Sequence, residues 1–166
     1  MFVPFSSLPP SSRVWVFQAS RPMAAKELEI AEHRLAVFTG EWAVHGTPLK
    51  TSFVIRYDQF IVLAADESDG TASGCSIDSS VRVLKEIGQS IGIDFFGRDQ
   101  VAFKIGNKVQ LIPLSQLKEK FSDGTLNGDS LTFNNLVDTK SAFDAHWLAP
   151  AADTWLKRYL PNVLVR

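Results

Sequence analysis

TSFVIRYDQFIVLAA, residues Thr51 to Ala65, holds two different strand patterns on either side of a two-residue break. In the first half Phe53, Ile55 and Tyr57 alternate with Ser52, Val54 and Arg56, the period of a strand with one buried face. From Phe60 to Ala65 every position is apolar, as in a strand covered on both sides. Asp58 and Gln59 leave room only for a tight turn, so the stretch reads as an antiparallel hairpin joining an exposed edge strand to a central one.

Working outward, Arg13 to Ala19 (RVWVFQA) is likewise β-branched, aromatic and apolar on both faces, and is expected to be a second central strand. Between it and the hairpin, Ser20 supplies a candidate N-cap and Pro22 an early-turn proline. Leu28, Ala31, Leu35, Phe38 and Trp42 then recur at helical spacing, which predicts an amphipathic helix ending near Gly46. Beyond the hairpin, an acidic and then small-residue loop from Asp66 to Cys75 leads into a second helix with Ile77, Val81, Leu84, Gly88 and Ile91 along one side. Val101, Phe103 and Ile105 alternate with Ala102 and Lys104, Gly106 and Asn107 turn the chain, and Val109 to Leu114 returns.

Strand, helix, strand, repeated, predicts an α+β fold of the ferredoxin-like (split βαβ) kind: an antiparallel sheet whose first and third strands are central, with an added fifth strand and C-terminal helices. The two strands apolar on both faces are the first and third, which agrees with that order. Residues 1–12, with three prolines, read as an extended arm, and residues 13–166 as a single domain. Within that domain, 13–114 form the sheet core and 115–166 a helical extension lying over the open sheet face or around its edge. In the extension Ser115 to Phe121 reads as a short helix, a turn-rich stretch passes Gly124, Asn127 and Gly128, and Ala142 to Leu148 and Asp153 to Leu160 have helical composition, bounded by Pro150 and Pro161.

Seventeen lysines and arginines against 18 aspartates and glutamates leave a net charge of −1, so neither nucleic acid nor an anionic membrane surface is the expected partner. The single cysteine excludes an internal disulfide and any multi-cysteine metal centre. The longest apolar run, Phe60 to Ala65, is strand-sized, and the arm lacks the pattern of a signal peptide. With an unpaired thiol, these features make the cytoplasm the expected location. No glycine-rich phosphate loop ending in Gly-Lys-Ser or Gly-Lys-Thr occurs, nor a Gly-x-Gly-x-x-Gly after the first strand, which speaks against a P-loop ATPase and against dinucleotide binding of the usual type.

The stretch from Ser73 to Ser80 is the leading candidate site. Gly74, Cys75, Ser76 and Asp78 stand at a strand-to-helix junction, where free N–H groups and the positive helix end favour a thiolate or an oxyanion. Capping by Ser76 and Asp78 and burial of Cys75 is the plainer account of the same residues. Asp66, Glu67 and Asp69 precede it without the register of a calcium loop, and no metal or cofactor is expected. Asn134 and Asn135 would orient a ligand if they met that loop. His33, His45 and His146 are scattered, with His45 expected at the C-terminal end of the first helix.

Gly74 to Val81 (GCSIDSSV) and Phe133 to Lys140 (FNNLVDTK), with Trp147 and Trp155 beyond, resemble a family of short, uncharacterised Bacteroidetes proteins whose members often carry the label "ABC transporter ATPase". The resemblance covers nearly the whole chain after the arm. It implies a bacterial cytoplasmic protein and brings no catalytic assignment; the missing Gly-Lys-Ser/Thr loop sets this chain apart from the label.

The leading functional expectation is therefore binding of a small ligand or protein partner near residues 66–80. A second is a thiol enzyme with Cys75 as nucleophile, His45 or His146 as base, and backbone N–H groups with Asn134 as oxyanion donors. A third is a homo-oligomer, in its simplest form a homodimer, assembled through the edge strand Thr51 to Tyr57.

Overall fold

A computed structural model of the chain describes residues 1–44, 46–68 and 74–161. They form a mixed α+β architecture with two antiparallel sheets, and the chain divides into two compact units: residues 1–97 with 135–144, and residues 98–134 with 145–166.

In the first unit, β1 (Arg13–Gln18), β5 (Phe60–Asp66) and β4 (Lys50–Arg56) lie in the order β1-β5-β4, both pairings antiparallel, with α1 (Ala25–Glu41) between β1 and β4 in sequence and α2 (Gly74–Ile91) after β5. A two-stranded ribbon, β2 (Ala43–Val44) and β3 (Thr47–Pro48), follows α1. The register aligns Trp15, Leu63 and Phe53 across the sheet, and on this face Ile61, Leu63 and Ala65 pack with Ala31 and Leu35 of α1 and Leu84 and Ile87 of α2. Six consecutive residues of β5, Phe60 to Ala65, are fully buried, so its continuous apolar run does mark a central strand covered on both faces.

The hairpin turn lies one residue earlier than expected. Tyr57 and Asp58 both have φ of 54°, the left-handed pair that a tight turn between twisted strands demands, while the Gln59 N–H donates to the Arg56 carbonyl. Gln59 itself is buried. Its side-chain amide Nε2 donates to the Ala19 carbonyl at 3.2 Å and the Ala19 N–H donates to the Gln59 carbonyl at 2.7 Å, extending the β1–β5 ladder by one step.

Helix α1 begins at Ala25, so Ser20 is not its cap. Glu27 reaches back to the Ala24 N–H at 2.8 Å and takes a two-pronged hydrogen bond from Arg21, whose Nη2 also donates to the Ile91 carbonyl at the end of α2. Ser20 instead accepts from the Asp94 N–H through its hydroxyl. At its other end α1 stops at Glu41, because the ribbon β2–β3 takes up the residues toward Gly46. Helix α2 closes on Gly92 at φ 69°, with the Ile93 N–H bonded to the Gly88 carbonyl. A Cβ on Gly88 would stand 2.5 Å from the Ile93 carbonyl oxygen, so the returning chain fits only against a bare α-carbon.

The expected fourth and fifth strands do not join this sheet. They are β6 (Gln100–Ile105) and β7 (Lys108–Pro113) of the second unit, where β8 (Leu131–Phe133) and β9 (Leu148–Pro150) complete an antiparallel sheet of order β7-β6-β8-β9. Phe103, Ile112, Leu117, Phe121, Leu126, Ala151 and Leu156 form its core. The place beside β1 is taken otherwise: the Val14 N–H donates to the Asp138 carbonyl, Arg13 bridges Thr139, and the Lys140 and Ser141 N–H groups bond to the Ser12 and Pro10 carbonyls. Where the sequence reading expected one domain with a helical tail, two strands lie in 115–166. The same span of sequence also holds α3 (Leu117–Ser122), α4 (Lys140–His146) and, in place of a last α-helix, the two short 3-10 turns Ala151–Asp153 and Trp155–Tyr159. Residues 1–12 do form an arm. Its Val3 N–H and Met1 carbonyl bond to Thr51, covering the start of the β4 edge, and Phe2 packs on Phe53. Among the described residues, no helix is long and apolar enough to cross a membrane.

Candidate functional site

Helices α1 and α2 run antiparallel, since each returns against its preceding strand and β1 and β5 are themselves antiparallel. Their inner faces carry Ala31, Leu35 and Thr39 of α1 and Ser80, Leu84 and Ile87 of α2, all buried. The neighbouring outer positions face each other across a groove of about 420 Å³, within the span of about 300 to 1,000 Å³ typical of small-molecule sites.

Matching the helices turn by turn orders the groove. At one end Arg34 of α1 stands 3.9 Å from Glu86 of α2, a loose ion pair between exposed side chains. One turn along α1, Val37 and Phe38 lie opposite Val83 and Arg82, and at the far end Glu41 lies opposite Ser79. Val37 is 49% exposed although it lies beside the apolar stripe of its helix. Phe38 is half-buried and rests on Trp42 at 5.0 Å between ring centroids, and Trp42 rests in turn on Trp15 at 5.5 Å, so the groove's aromatic wall is backed by the core. Arg82 and Glu41 have no ion pair among the described residues. His33 lines the Arg34 end.

The residues singled out from the sequence fare differently. Asp66 closes β5 and its carboxylate accepts from the Ser68 N–H at 2.9 Å; hydrogen bonding from Ser68 holds its pKa below the usual value. Glu67 is half-buried, Asp78 is exposed on the first turns of α2, and Gly74 opens that helix. The side chains of Cys75 and Ser76, His45, and Asp69 with the rest of 69–73, lie outside the described residues. Asn135 donates from Nδ2 to Gln18 of β1 at 3.0 Å. Asn134 belongs to the second unit, where its N–H donates to the Trp147 carbonyl, and the exposed His146 belongs to that unit too. No cluster of three metal-binding side chains occurs among the described residues.

Phe38 was read only as part of its helix's apolar stripe, and Arg34, Val37, Glu41, Arg82, Val83 and Glu86 were not singled out from the sequence. Two signals pointed to them: Val37 adds apolar surface outside the stripe of Leu28, Ala31 and Leu35, and Arg82 and Val83 put a cation beside an apolar residue at the matching level of α2. The chain matches no family model, no curated protein and no solved structure.

Proposed function

We propose that this is a binding protein that takes a small organic ligand in the groove between α1 and α2. The observation that carries the reading is the groove itself: Val37, Phe38 and Val83 offer an apolar wall between charged ends, the combination that holds and orients small amphipathic molecules. The reading stays close to the expectation of a site near residues 66–80, because Ser79 belongs to both. It includes a ferredoxin-like origin for the β1-β5-β4 sheet with its two helices, the first–third–second part of that strand order, and a bacterial cytoplasmic setting of the Bacteroidetes type suggested by residues 74–81 and 133–140.

The test is an NMR titration with 3-phenylpropan-1-ol, a neutral probe with an apolar body and one polar end. Saturable shifts of the Val37, Phe38 and Val83 amides, reduced at least fivefold in affinity by Val37→Asp, are the expected result. Linear shifts without saturation, or equal binding by the variant, would overturn the reading.

A further inference from the structure

Resting on that reading, we infer that the groove selects molecules carrying both an ammonium and a carboxylate next to an apolar body, such as a free apolar amino acid. Arg34 and Glu86 already answer one another at 3.9 Å, whereas Arg82 and Glu41, on opposite walls, have no ion pair among the described residues. With Arg34 opposite Glu86, Glu41 lies about two turns farther along α1, and Arg82 about one turn back along α2. At 1.5 Å of rise per residue, that leaves an axial offset of about 4.5 Å between them.

An α-amino acid bears its two charges on one carbon, which suits so small a difference in level, with the long Arg82 and Glu41 side chains making up the width of the groove. Its carboxylate would take the paired N–H groups of the Arg82 guanidinium, its ammonium would donate to the Glu41 carboxylate, and its side chain would lie on Val37, Phe38 and Val83. A ligand with either charge alone satisfies one wall and leaves the other charge facing only water.

The experiment compares L-phenylalanine with its two halves, 3-phenylpropionate and phenethylamine, by calorimetry and by the same amide shifts. The expected result is that phenylalanine binds at least tenfold more tightly than either half. Arg82→Gln should then weaken phenylalanine at least tenfold without weakening phenethylamine, and Glu41→Gln should weaken phenylalanine at least tenfold without weakening 3-phenylpropionate. Both positions lie on the outer helix surface, so these variants fold. Groove binding in which phenylalanine is no tighter than its halves would overturn this inference and keep the binding reading. If neither these compounds nor 3-phenylpropan-1-ol shift the groove, both fall.

Discussion

A hydrogen atom in place of a side chain at Gly88 lets the chain double back beneath the end of α2, bringing the Ile93 carbonyl to where a Cβ would be. The expected outcome of Gly88→Ala is a loss of about 1–3 kcal/mol, the usual cost of forcing an extra methyl into packed backbone, read from the urea midpoint. An unchanged midpoint would mean that residues 92–95 move aside freely. Sequence reading put Gly88 on the apolar side of its helix but gave no reason for a glycine there, because the reason is a residue five positions on returning through a left-handed Gly92. The groove was hidden by a similar limit. Arg82 and Glu41 look like two ordinary surface charges until the antiparallel helices set them across one cleft.

At the start of α1, the Glu27 carboxylate, held by Arg21, does the work that a single cap does elsewhere. Hydrogen bonding from Arg21, and then from the Ala24 N–H, brings the Glu27 carboxyl down to about 2. A carboxyl depressed in the folded state contributes stability that is fully present above its unfolded value of about 4.5 and is lost as the pH falls toward about 2. Thermal unfolding of the parent chain should therefore fall more steeply than that of Glu27→Gln between pH 4.5 and 2, and the two curves should converge at the acid end. Parallel curves would show that the Arg21–Glu27 contact does not persist in solution. Long elements were legible from their periods: the spans expected for β1, β4, β5, β6 and β7 each lie within about two residues of those observed. Strands of two or three residues were not, since β2, β3, β8 and β9 are too short to display a period of two. The N-cap was misplaced because Ser20 is a good capping residue by type but spends its hydroxyl on Asp94.

At the scale of the molecule, each of the two compact units has a buried cluster of its own among the described residues, where a single core was expected from a chain of 166 residues. Leu35 sits in the first and Leu156 in the second, both fully buried. Each changed to Ala is expected to cost about 2–5 kcal/mol, and the double variant to cost their sum within about 0.5 kcal/mol, because the two residues share no cluster. A larger departure from additivity in a denaturant series would show that the cores act as one. The second sheet escaped the sequence reading because pairing partners are a tertiary choice. The alternation of β6 suits an edge strand of the first sheet, yet its pairing with β7 on one side and with Leu131 and Thr132 of β8 on the other makes it an interior strand of the second.

The first unit is also discontinuous along the chain: Asn135 bonds to Gln18 across 117 residues, and Asp138 to Ser141 line the border of β1. On a ribosome, which delivers the N-terminal end first, β1, α1, β4, β5 and α2 emerge long before the segment that closes their sheet. The nascent first unit must wait with a bare β1 edge while the intervening 98–134 are made, an interval in which strand-edge association with other chains competes with completion.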